Sequence, residues 1–356
     1  MMGEIEMLLD AVAKGDVEII ETALAENPEF VRLKGGYLGW TLLHEAAHRG
    51  QIAIAELLID RGAPVHERDK GDNATPLHWA AGAGHLDVVV MLVTRGADVN
   101  DRNDLTGTGP IGWSTLGTYR PKVAEFLADA GAEIDFFPAI AMNRIDVVAD
   151  IIEKQPAILE SSLGAEMPYD RPLLFAVRRG RGKVVEMLLD AGADPNERSW
   201  LGLSPLAVAG FHGRTDIIPK LEARGARLDL GAAVSIQRWE EAKRLLRENH
   251  QQIHPGGDYE RLFHFAAQEG DIAAVKFLAS EGAELDSRIE WWPGHRVAPL
   301  HLASSNGHLD VVRELADRGA DLLVEDSRYK SAPRGWAFEH KRHEVVSFLK
   351  DREPEY

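Results

Sequence analysis

A Gly-Ala pair closes an apolar stretch seven times along this chain, at Gly62, Gly96, Gly131, Gly192, Gly225, Gly282 and Gly319. The spacings are 34, 35, 61, 33, 57 and 37 residues, so each of the two long gaps holds a further unit. Self-similarity at a period of about 33 residues means stacked supersecondary units rather than separate globular domains. Eleven units account for all 356 residues and leave no room for another domain. The expectation is a single array over 1–356 with three sub-blocks, 1–135, 136–229 and 230–356. Degenerate units at Met7–Pro28, Phe136–Pro156 and Leu230–His250 open the sub-blocks, each ending in a polar stop instead of Gly-Ala. The second and third follow the preceding unit almost without a connection, so their connecting fingers must be very short.

One copy shows why the unit folds as it does. Thr75 suits a helix N-cap and Pro76 the first helical position, where no backbone donor is needed. The small Ala80 and Ala81 allow close helix approach, and Gly84 takes the left-handed conformation that ends a short helix. Leu86–Val93 predicts a second helix with acidic Asp87 in its first turn, stopped at Gly96. Two such short helices cannot bury their apolar faces alone, so neighbours must stack. Pro219 falls where a second helix should already be running and predicts a shortened one.

The runs Thr75-Pro76-Leu77-His78-Trp79-Ala80-Ala81, Gly84-His85-Leu86-Asp87 and Gly96-Ala97-Asp98-Val99-Asn100 closely resemble the ankyrin repeat. Thr41–Ala47, Ser204–Ala207, Leu262–Ala267 and Ala298–Ala303 match its opening in phase. The resemblance implies an all-α fold, an α-solenoid of stacked helix-turn-helix repeats with β-hairpin-like fingers. It implies that the recurrent histidines His44, His78, His264 and His301 bond to the adjoining loop. It also implies a concave surface lined by His48-Arg49, Arg178-Arg179, Phe211-His212, Gln268-Glu269, Ser305-Asn306 and Glu339-His340. Its functional implication is a scaffold for protein–protein interaction.

Composition narrows the chemistry. No cysteine is present, which excludes disulfides, cysteine-ligated metal and a cysteine nucleophile. A formal charge of −17 argues against nucleic-acid binding and favours a basic protein or peptide partner. Apolar runs are too short to span a membrane, and the acidic N-terminus lacks the features of a signal peptide. A cytoplasmic protein is expected. There is no nucleotide-binding glycine loop, calcium loop or Ser–His–Asp pattern, so no cofactor is expected. His44-Glu45-Ala46-Ala47-His48 has zinc-protease spacing, but His44 is the repeat histidine, the helix is short and no third ligand follows. No metal is expected either.

Eight of the fourteen Trp and Tyr residues fall between repeats: Tyr37, Trp40, Tyr169, Trp200, Tyr259, Trp291, Trp292 and Tyr329. Such aromatics act as binding anchors or wedge against the next finger. The adjacent Trp291 and Trp292 are the hardest to bury together. With His48, Arg178, Arg179 and His212 from the groove, these residues are the binding candidates. Arg171, Arg178, Arg179, Arg181 and Lys183 form a basic cluster, read either as an anion site or as a solvated face balancing nearby acids. The alternative to a protein scaffold is a small-molecule or carbohydrate-binding protein or an enzyme, with an acid–base site between the irregular fingers of the last sub-block. There Asp258, Glu269 and His295 would supply acid–base groups beside Tyr259, Trp291 and Trp292.

Overall fold

The structure is a computed structural model that describes residues 2–162 and 171–352. The described residues contain 22 α-helices and one two-stranded hairpin, the all-α solenoid architecture expected. Contacts divide the chain into two compact units, Met1–Ile158 and Leu159–Tyr356, a boundary that coincides with neither sub-block limit.

In the first unit the first helices of successive pairs are Met2–Lys14, Leu42–Arg49, Pro76–Ala83, Gly109–Thr115 and Phe136–Met142. Their partners are Val17–Glu26, Ile52–Asp60, Leu86–Thr94, Pro121–Asp129 and Ile145–Lys154. In the second unit the first helices are Pro172–Arg178, Pro205–Phe211, Leu230–Ser235, Leu262–Glu269, Pro299–Asn306 and Pro333–Glu339. Gly182–Asp190, Ile218–Ala223, Trp239–Glu248, Ile272–Ser280, Leu309–Asp317 and His343–Lys350 pair with them. Most are seven to ten residues long, below the ~12–15 an isolated helix needs in water, so packing supplies their stability. The degenerate units begin their helices at Phe136 and Leu230, directly after Asp135 and Asp229, and so have almost no finger. Pro219 sits second in the six-residue helix Ile218–Ala223, shortened as expected.

Recurrent residues hold neighbouring pairs together. The ring of His44 accepts from Thr41 N at Nδ1 (3.2 Å) and donates from Nε2 to Ala74 O (3.2 Å). His78 likewise reaches Asp101 O, His264 Ser287 O and His301 Ser331 O. Burial pushes His44 and His264 down to about 4, so these rings are neutral cross-repeat bolts. A second bolt runs from the start of several second helices back to the first helix of the preceding pair: His85 to His48 O, Arg120 to Gly82 O, Arg214 to Arg178 O, His308 to Gln268 O and Arg342 to Ser305 O. Gly50 makes room for it, since a Cβ there would lie 2.5 Å from the His85 ring and φ is +72°.

The hairpin-like fingers take two forms, strand pairs and tight turns. Strands Ile289–Trp292 and His295–Val297 pair antiparallel, and a single bridge joins Gly35 to Trp40. Elsewhere the fingers close as tight hairpin-like turns, with backbone bonds from Asp69 N to Ala74 O, Ser199 N to Leu203 O and Asp326 N to Ser331 O, and aspartate side chains take further N–H groups. Asp69 accepts from Asp72 N, Asp104 from Thr106 N and Gly109 N, and Asp326 from Arg328 N, Tyr329 N and Ser331 N.

Candidate functional site

Each of those three aspartates also accepts an indole N–H from nine or ten residues downstream: Trp79 to Asp69 (2.7 Å), Trp113 to Asp104 (3.1 Å) and Trp336 to Asp326 (3.1 Å). All three carboxylates are buried. Burial opposes their charge. Even so, donors from His78, Thr106, Trp113 and Gly109 hold Asp104 well below the usual carboxylate range, and the turn N–H groups with Trp336 do the same for Asp326. The latch fixes the turn and the indole together. Sequence reading missed it, although an aspartate spaced nine or ten residues before each tryptophan was there to be found.

On the first unit the latched indoles form a row. Trp79 lies edge-on to Trp113 (5.0 Å between ring centres) and to Trp40 (4.6 Å), with His48 against Trp40 and Trp79 (5.3 and 5.4 Å). The row is half-buried, and Tyr37, in the turn that Gly35 and Trp40 close, is fully exposed. His48 is thus a ring of the row, with His44 tied into the fold, and the zinc-like spacing carries no paired ligands.

On the second unit the candidates separate. Strand alternation buries Trp291 (2% exposed) and leaves Trp292 open (45%), so the two adjacent indoles, hard to bury together, face opposite ways. Trp291 packs on Trp200 (5.6 Å) and His264 (6.2 Å), and the Arg261 guanidinium lies over Trp200. Tyr259 is buried under Arg198, itself paired with Asp229 (2.9 Å), and burial beside Asp229 pushes the phenol up to about 12. His295 is buried and bonded to Asp326 (3.0 Å). Glu269 faces His212 instead (3.6 Å) across the short helix Leu230–Ser235, with Phe211 on Phe265 alongside. Burial lowers His212. Asp258 is exposed near Arg198. The proposed acid–base group of Asp258, Glu269 and His295 is therefore not brought together.

The structure gathers a different set. Gln268, Ser305, Asn306, Glu339 and His340, five of the expected groove residues, line one cavity of about 1010 Å³ with Trp292, Tyr329 and Trp336. Trp292 stacks on Trp336 (6.1 Å, 24°), and His295 lies between Trp292 and Tyr329 (5.5 and 5.3 Å).

In the basic cluster, Arg171 pairs with Glu160 (2.7 Å) and approaches Glu197 (3.9 Å). The Arg179 guanidinium covers Phe175 (4.9 Å), and the Arg178 carbonyl receives Arg214. These contacts fit the charge-balancing reading of Arg171. Tyr169 lies outside the described residues. No group of three or more His, Asp or Glu among the described residues is placed to hold a metal ion, and no helix among them is long and apolar enough to cross a membrane.

Comparison with known proteins agrees with the architecture. Models of ankyrin repeats in three copies match residues 8–103, 230–326 and 263–355, and a single ankyrin repeat matches 170–200. The chain belongs to the ankyrin-repeat family. It is 29% identical over 170 residues to ankyrin repeat and SAM domain-containing protein 6 of Danio rerio, covering 44% of this chain and 22% of that protein. It is 28% identical over 146 residues to cyclin-dependent kinase 4 inhibitor B of Rattus norvegicus, covering 41% and 91% respectively. Palmitoyltransferase AKR1 of Lachancea kluyveri is 32% identical over 87 residues, 24% of this chain and 12% of the relative. The chain thus spans less than a quarter of the first and third of these relatives.

Proposed function

We propose that this chain is a binding scaffold that receives a protein or peptide on the aromatic row of its first unit. Ankyrin repeats generally mediate protein–protein interaction, and the rat relative, by its name, is an inhibitor of a kinase. The row of Trp40, His48, Trp79 and Trp113, with exposed Tyr37 in the turn that leads into Trp40, carries the reading. Rigid rings, of which Trp79 and Trp113 are latched before a partner arrives, lose little entropy on association and make good hot spots. The chain's charge of −17 supports a basic partner, whose encounter would slow as salt rises. The proposal keeps the cytoplasmic setting and the single array over 1–356 expected from the sequence. Scanning calorimetry tests the array: one cooperative transition is expected, and two independent ones would sink it.

A library of displayed peptides panned on the full chain tests the binding role. Peptides enriched on the wild type are expected to be rich in Lys and Arg and to lose at least tenfold in affinity with Tyr37→Ala and His48→Asp. Affinities unchanged in both variants would move the partner to another surface.

A further inference from the structure

We infer that the cavity beside Trp292 is a saccharide-binding site, with one sugar ring stacked on the exposed indole and its hydroxyls held by the side chains around it. This goes beyond the protein-binding reading and does not depend on it, since the two sites lie on different units.

The platform is built before any ligand arrives. Trp292 is backed by Trp336, which Asp326 holds by its indole N–H, and Asp326 in turn is held by three backbone N–H groups and His295. Tyr329, 66% exposed, adds a second ring on the far side of His295. A fixed flat apolar face suits the C–H face of a pyranose, and its rigidity removes most of the ordering cost of binding.

Around the platform the hydrogen-bonding groups are unspent. The Glu339 carboxylate, the Trp292 indole N–H, the Tyr329 hydroxyl and the Arg328 guanidinium make no hydrogen bond with any described residue. His340 uses only Nδ1, on Trp336 O, and Asn306 uses only Nδ2, on Leu302 O and Ser305 Oγ. Donors and acceptors are therefore interleaved, and that mixture selects the ligand class. A sugar hydroxyl both donates and accepts, so it answers either kind. A run of prolines offers backbone carbonyl acceptors alone and would leave Glu339 and the Asn306 carbonyl unanswered. A cationic side chain would enter beside the guanidinium groups of Arg328 and Arg342, with one carboxylate to receive it. Of the three, the saccharide is the one the lining fits.

The test is a microarray of neutral and acidic oligosaccharides probed with the full chain, wild type against Trp292→Ala and Glu339→Gln. Hits are then titrated by intrinsic tryptophan fluorescence. We expect at least one glycan family to be retained. Its affinity should fall roughly tenfold in Trp292→Ala and by a smaller factor in Glu339→Gln. Both side chains are open to solvent, so the melting temperature should move by no more than about 2 °C. Met7→Ala, at an exposed position on the other unit and outside both sites, should leave glycan binding unchanged. No glycan retained by the wild type, or retention equal in both cavity variants, overturns the assignment. So does a parallel peptide array in which proline-rich or lysine-rich segments bind through Trp292 while glycans do not.

Discussion

In the first unit Trp79 and Trp113 are latched to Asp69 and Asp104, and successive indoles then fill the space between repeats edge to face. In the second unit Trp336 is latched to Asp326 in the same way. The residue after the repeat histidine in the preceding helix, however, is Leu302 rather than a tryptophan. Leucine is smaller than an indole, and Leu302, Ser305 and Asn306 line the cavity beside Trp336, so volume that a tryptophan ring occupies in the first unit stays open here. The hairpin then lays Trp292 over Trp336 from outside. One latch thus supports both a closed row and an open cavity, and the residues one repeat earlier decide which.

Trp291 and Trp292 give the widest test of that contrast, because neighbouring residues fall on its two sides. Trp291→Ala removes a buried indole from between Trp200 and His264 and should cost about 3–5 kcal/mol, read by urea denaturation. Trp292→Ala should cost less than about 1 kcal/mol, since nearly half its surface already meets water. Equal losses would mean that both rings are core and that the cavity is not open.

The latch itself can be weighed across the two units. Asp326→Ala strips five partners from one carboxylate, including Trp336 and His295, and should cost about 3 kcal/mol or more. Asp69→Ala loses one backbone N–H and Trp79, so a cost of about 1–2 kcal/mol is expected from the same denaturation curves. The Asp326 contribution should also appear in acid. The Asp326 carboxyl is held below its unfolded value of about 3.9, so its stabilisation is complete above that pH and fades as pH falls through the lower folded value. If Asp69→Ala proved the more damaging, the latch would not be organised around the number of bonds each aspartate receives.

The fold was legible because repetition prints the same signal many times: Gly-Ala stops, Thr-Pro-Leu-His openings and the small Ala-Ala pair all fix local geometry. The candidate sites were less legible, for a physical reason. Whether an aromatic between repeats is open depends on strand parity and on what stands one repeat away, and neither is local. Trp291 and Trp292 are indistinguishable by position in a loop and opposite once a strand alternates. Likewise His295 reads as a free imidazole until Asp326, 31 residues on, takes its Nε2. Gln268, Ser305, Asn306, Glu339 and His340 were legible because the family geometry assigns them a common face, and five of them share the cavity.

A fourth buried carboxylate sets the limit of the aspartate pattern and gives the smallest of the expected effects. Glu197 is as buried as the latched aspartates, yet it receives a single backbone N–H, from Leu174 (3.2 Å), with the Arg171 guanidinium 3.9 Å away. Burial wins over these two, and the carboxyl is pushed up to about 7. The folded chain therefore holds this proton more tightly than the unfolded chain, the reverse of Asp104 and Asp326. Stability from this group is greatest below about pH 4.5, declines as pH rises toward about 7, and is flat beyond. Glu197→Gln keeps an acceptor for Leu174 but has no proton to lose. Its melting temperature should match wild type near pH 4 and exceed it by a few degrees at pH 8. A wild-type decline that persists unchanged in Glu197→Gln would assign the pH dependence to another group. A melting temperature below wild type at pH 8 would mean that Arg171 and Leu174 stabilise the ionised carboxylate after all, as the turn donors do for Asp326.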